Sequence, residues 1–178
     1  MKKINFSILI VFLFFATGFG QQLKVSYASS VYDKPFTGTV IVYMSKENSE
    51  PKNGMVGLER FPCYSVAVKN IKPGESVIID DSATSFPTTL SNIERGDYFV
   101  QVVWDRNLGG RSIAESSGNL YNPSEKINIT HDTKKVFSIV ATKMIEEYPK
   151  FEENEFVKVM HAPSALLTKF QGKPMNVD

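Results

Sequence analysis

The chain has 178 residues with 20 basic and 19 acidic side chains, a formal charge of +1, and 42% hydrophobic residues, ordinary content for a domain with one packed core. No basic stripe exists to hold phosphates, so nucleic acid is excluded as a natural partner. The single cysteine, Cys63, excludes an intramolecular disulfide framework, and stability must come from apolar burial.

Met1–Gly20 has the organisation of a secretory signal peptide. Lys2 and Lys3 form a positive n-region, Ile8–Phe15 is an apolar run, and Gly18 and Gly20 are the small residues expected before a cleavage site. The run is shorter than the roughly 20 residues a membrane-spanning helix needs. Cleavage after Gly20 and a secreted or periplasmic bacterial location are therefore expected, with no transmembrane segment in the mature chain. Loss of Lys2 and Lys3 takes the net charge from +1 to about −1.

From Gln21 to Ile145 the pattern is that of short strands. Leu23, Val25 and Tyr27 fall on one face of a first strand, and Thr37–Ser45 is rich in β-branched and aromatic residues. Lys46–Gly57, with Pro51 and Asn53-Gly54, reads as a surface loop. Tyr64, Val66 and Val68 alternate in a third strand. Pro73 and Gly74 then occupy the two central positions of a type II turn, ahead of a short strand at Ser76–Ile79. The strongest strand signal is Tyr98, Val100, Val102 and Trp104 at period two, following a turn at Gly96. After a turn at Arg106–Gly110 and an irregular stretch over Gly118–Ser124, Lys126–Thr130 and Lys135–Thr142 are predicted to form a hairpin across His131–Lys134. The spacing of Ile93, Gly96 and Tyr98 resembles the tyrosine corner of immunoglobulin-like sandwiches, in which the hydroxyl turns back to the preceding connection. The fold expected is all-β, an antiparallel immunoglobulin-like β-sandwich over residues 21–145.

Residues 146–178 differ in character. Glu146-Glu147, Pro149 and Glu152–Glu155 read as an acidic, solvated linker, Phe156–Met160 as a short strand, and Pro163 as the start of a two-turn helix with Leu166, Leu167 and Phe170 facing inward, stopped at Gly172. Lys173–Asp178 begins an extended segment.

Chemistry is sparse. The two histidines are not accompanied by a Gly-x-Ser-x-Gly elbow, His131 with Asp132 reads as turn chemistry, and His161 as a structural group at the helix entrance. Cys63, at the head of an apolar run, reads as a buried inert thiol. No His or Cys cluster has metal-ligand spacing, and no glycine-rich loop opens a helix to cradle phosphate, so no cofactor is expected. Asp105-Arg-Asn107-Leu-Gly-Gly110 partly copies a calcium loop, but Gly109 and Ser116 stand where oxygen-rich ligands belong, which leaves Asp105 and Asn107 as weak calcium candidates. Asn128-Ile-Thr130 is a glycosylation sequon by pattern. Trp104 shares its face with core valines and reads as core, not a sugar platform; Asp80 and Asp81, beside Ser82 and Thr84, read as turn-forming acids.

Three stretches together carry a family resemblance: Val68–Asp81, then Phe86-Pro87 through Asp105-Arg-Asn107, then Gly118-Asn-Leu-Tyr121. They resemble the N-terminal accessory region of secreted bacterial esterase-like proteins, which continue into an α/β-hydrolase domain related to siderophore esterases. The tail from Glu155 to Pro174 is similar to the segment leading into that domain. The resemblance implies a non-catalytic accessory module, truncated before its hydrolase domain, whose catalytic partner lies in cis or in an adjacent reading frame. It carries no catalytic residue onto this chain. The alternative is a free-standing secreted binding protein for carbohydrate or an envelope partner.

Overall fold

The computed structural model describes residues 21–59, 61–108, 112–130, 135–146, 153–160, 162–172 and 174–177. The signal-peptide segment, the His131-Asp132 turn, Gly109-Gly110, Glu147–Glu152, His161 and Lys173 lie outside the described residues.

In chain order the strands are β1 (Gln22–Tyr27), β2 (Phe36–Ser45), β3 (Cys63–Ile71), β4 (Val77–Ile79), β5 (Thr84–Phe86), β6 (Gly96–Asp105), β7 (Leu120–Tyr121), β8 (Glu125–Ile129), β9 (Val136–Ala141), β10 (Lys143–Met144), β11 (Ala162–Pro163) and β12 (Asn176–Val177); the helices are α1 (Val56–Glu59) and α2 (Ala165–Gln171). The fold is all-β. Among the described residues one sheet has the order β4-β1-β9, a second the order β10-β7-β6-β2-β3-β5 with β8 also on β6, and β11 pairs with β12 in a third, two-stranded sheet. The chain divides into two compact units, one ending at Glu146 and the other running from Glu147.

The first unit is a two-sheet sandwich because its strands alternate. Leu23, Val25 and Tyr27 of β1, Val40, Val42 and Met44 of β2, and Tyr98, Val100, Val102 and Trp104 of β6 are all buried in one core. Trp104 is fully buried and meets Tyr27 and Phe36 edge-on, at centroid distances of 4.9 and 5.0 Å. The Tyr27 hydroxyl reaches the carbonyls of Ile71 (2.7 Å) and Lys34 (2.9 Å), which ties β1 to the start of β2 and the end of β3. Gly38 lies where β2 and β6 approach closely: a Cβ there would stand 2.1 Å from the Asp105 carbonyl oxygen. At the β3–β4 turn Gly74 has φ +77°, as position three of a type II turn requires, and Glu75 N–H donates to Lys72 O at 3.0 Å.

Several expectations are corrected. β8 and β9 do not form a hairpin: β8 pairs antiparallel with β6, and β9 pairs parallel with β1 in the other sheet. Ile127 and Ile129 thus enter the core from one side, Ile139 and Ala141 from the other, and two strands adjacent in sequence face each other across it. The sandwich is accordingly antiparallel save for this parallel pair. Gly118–Ser124 contains β7, which joins β6 to β10. The Lys46–Gly57 connection carries a 3-10 turn at Pro51–Asn53 and runs into α1, and Pro51 is buried. It is joined to the outer face of β6, where Lys52 N–H donates to Gln101 Oε1 (3.1 Å) and Gln101 Nε2 donates to Glu50 Oε2 (2.8 Å). Ile41, Tyr43, Phe61 and Val103 form a second, smaller core on that face.

In the second unit, Phe156–Met160 is not a strand. Asn154 Oδ1 accepts the N–H groups of Phe156 and Val157, and that local turn competes with a ladder. Pro163 belongs to β11, and α2 begins two residues later, after Ser164, whose hydroxyl accepts from Leu167 N–H at 3.3 Å. Gly172, at φ 68°, ends the helix as expected. Leu166, Leu167 and Phe170 are exposed instead of inward.

Candidate functional site

The described residues form a cleft of about 820 Å³ at one end of the sandwich. Three separate stretches build it: the turn leaving β2, the segment entering β3, and the β5–β6 connection. Ser45 shapes the first. Its hydroxyl oxygen accepts from the N–H groups of Glu47 (3.3 Å) and Asn48 (2.9 Å), so the turn is closed by a side chain and Lys46, Glu47 and Asn48 fan out along the rim. Glu59 and Phe61 come from the second stretch. Glu59 accepts from Met55 N–H (3.3 Å) and from the Asn48 side-chain amide (3.5 Å), linking two sides of the rim. The third stretch contributes Pro87, after a cis Phe86–Pro87 peptide, together with Ile93 and Glu94.

Beneath the rim Ile93 and Tyr98 are buried in the main core and Phe61 in the smaller one. Tyr98 makes the corner contact expected from its position, its hydroxyl donating to Glu94 O at 2.8 Å. That bond presents Glu94 to the cleft, where its carboxylate accepts from Lys46 Nζ at 2.8 Å. The Lys46 ammonium also lies 5.4 Å from the Tyr98 ring centroid. The hydrogen bond to Lys46, reinforced by its charge, holds the Glu94 carboxyl below its ordinary value, and the same bond raises the Lys46 ammonium. Among the described lining residues the charges are one lysine against Glu47, Glu59 and Glu94.

The side chains singled out in the sequence are elsewhere. Asp105 ends β6, and its Oδ1 accepts from Asn107 N–H (2.9 Å) and from the Asn119 side-chain amide (3.1 Å). Asn107 follows at φ 52°, and Ser116 donates its hydroxyl to Ser112 O. These residues are engaged in closing the β6–β7 connection. Among the described residues, no group of three or more His, Cys, Asp or Glu side chains is placed to hold a metal ion. Cys63 is half-buried on β3 against the smaller core, and burial pushes its thiol up to about 11. Asp80 Oδ1 accepts from Ser82 N–H and its hydroxyl, bonds that lower the Asp80 carboxyl, and Asp81 Oδ1 accepts from Ser91 N–H. Asp80 therefore closes a local turn as expected, whereas Asp81 instead ties the end of β4 to the β5–β6 connection. Asn128 is exposed on β8 with its amide on Asp97.

Sequence reasoning missed Lys46, Glu47, Glu59 and Phe61. No local pattern marks them, since each is a common residue in a connection and only the pairing of β2 with β3 and β6 brings them together. The nearest signal was the tyrosine corner, which fixes where Glu94 stands. No protein-family model, no curated protein and no solved structure matches the chain.

Proposed function

We propose that this chain is a non-catalytic accessory module that works beside an esterase-like hydrolase domain, in cis or encoded in an adjacent reading frame, in the secreted or periplasmic compartment. The observation that carries the reading is the exposure of four large apolar side chains in the second unit, Phe156, Met160, Leu166 and Phe170, at 87%, 79%, 79% and 84%. Apolar groups concentrated in so short a segment are characteristic of surfaces that another folded body covers. The identity of that body as a hydrolase rests on the resemblance of residues 68–121 and 155–174. The lone thiol, protonated at neutral pH, offers no activated nucleophile.

Reading the neighbouring coding sequence is the direct test. A hydrolase-like frame with a Gly-x-Ser-x-Gly elbow, whose product co-purifies with this chain, is the expected result. The chain alone is expected to leave p-nitrophenyl acetate unhydrolysed, and turnover abolished by replacing one serine would overturn the non-catalytic assignment. A free-standing binding protein is the second reading, and the preformed cleft favours it.

A further inference from the structure

We infer that the chain pairs with a second copy of itself along β9, joining two three-stranded sheets into one continuous sheet. Among the described residues β9 is an edge, with β1 on one side and no strand on the other. Edges elsewhere carry features that keep strands apart: β4 and β5 are three residues long, and β8 holds Glu125 and Lys126. β9 has neither. Its six residues include no charge and no proline, and its register with β1 runs unbroken to Ala141. The parallel ladder decides which amides face outward, because both peptide groups of a residue point the same way and alternate along the strand. Ala28 N–H donates to Ala141 O at 3.0 Å, so Ala141, and with it Ile139 and Phe137, turns toward β1. The N–H and C=O groups of Val136, Ser138 and Val140 point to the open side, and all three side chains are exposed. An antiparallel neighbour must join outward groups to outward groups, and only a two-fold axis at Ser138 uses all three in both copies. Ser138 then faces Ser138 of the second copy, and Val136 faces Val140 of the second copy. On the other face half-buried Phe137 meets Ile139. Lys135, whose ammonium lies 4.8 Å from the Phe137 ring centroid, stands opposite Ala141, so no like charges meet. A strand of another protein would use the same amides, but this matching of valine to valine and serine to serine favours a second copy. The inference concerns the first unit and holds with or without a hydrolase partner.

An edge of six residues is well short of the roughly 20–30 residues a side of a standard interface, so a weak, reversible dimer is expected. Sedimentation equilibrium of the purified chain from about 5 µM to about 1 mM measures it. Amide exchange over the same range reads the register. Val136, Ser138 and Val140 are expected to gain protection as the dimer fills, while Phe137 and Ile139, already bonded to β1, stay unchanged. Val136→Lys/Val140→Lys and Val136→Glu/Val140→Glu each oppose like charges in both valine pairs, and each is expected to weaken association about ten-fold. Mixing the two variants opposes Lys to Glu and is expected to restore it. Circular dichroism on each variant confirms that these exposed substitutions leave the fold intact. A chain still monomeric at about 1 mM, association without protection of the three outward amides, or a mixture no tighter than either variant alone overturns the proposal. A monomer whose outward amides gain protection only on adding the hydrolase-like product assigns the edge to a foreign strand, and overturns self-pairing.

Discussion

Two tyrosines in the main core show how a single hydroxyl is decided by its surroundings. Tyr98 donates to the Glu94 carbonyl, whereas the Tyr64 hydroxyl is buried without a hydrogen-bond partner among the described residues. Removing a satisfied donor costs about 0.5–1.5 kcal/mol, and removing an unsatisfied one costs little or is stabilising. Tyr98→Phe is therefore expected to lower the urea midpoint while Tyr64→Phe leaves it unchanged or raises it; equal losses in both would contradict the hydrogen-bond assignment. Tyr98→Ala, which also empties core volume, is expected to cost about 3–5 kcal/mol by analogy with large aromatic truncations. Cys63 gives a pH test. Its thiol titrates near 11 when folded, above its ordinary 9.0, so the protonated form is favoured by the fold. The stability this contributes is complete below pH 9, and is lost as pH rises from there through 11. Iodoacetamide at pH 8 is expected to label Cys63 slowly in the native chain and rapidly in urea.

At the scale of elements, β6 is shared along one edge by β7, opposite Val103 and Trp104, and by β8, opposite Gly96–Val100. The interruption between them contains Pro123, which has no N–H to donate. Asn122 bridges it: its Oδ1 accepts Val102 N–H at 2.6 Å, and its Nδ2 donates to Pro123 O at 2.7 Å and to Glu125 Oε1 at 3.1 Å. A fully buried side chain thereby stands in for the missing strand backbone. Asn122→Ala leaves the Val102 N–H buried and unpaired, a loss of about 1–3 kcal/mol. Amide exchange read at Val102 distinguishes that local cause from a general loosening, because only this amide should lose protection beyond the global change. Gly38→Ala tests the β2–β6 approach in the same way. The added methyl would meet backbone, which cannot rotate aside, so a large loss of thermal stability is expected.

For the whole molecule, the main core, among the described residues, runs from Leu23 to Ala141, with Met144 packed against it, and the first compact unit closes at Glu146. A chain ending at Glu146 is therefore expected to unfold in one cooperative transition close to that of the full-length protein; a non-cooperative melt would show that the second unit completes the core. The sequence by itself determined the all-β class, the inward face of β6, the tyrosine corner, the type II turn at Pro73-Gly74 and the helix stop at Gly172, because each is a local consequence of period-two burial or of what glycine and proline permit. It failed at β8 and β9. Two adjacent alternating segments satisfy a hairpin and a sheet-to-sheet crossover equally well, and only the competition for β1 and β6 separates them. It failed also at the cleft. Lys46, Glu59 and Glu94 are unremarkable in their own connections, and they become one site only because strand register fixes the distances between loops far apart in the chain.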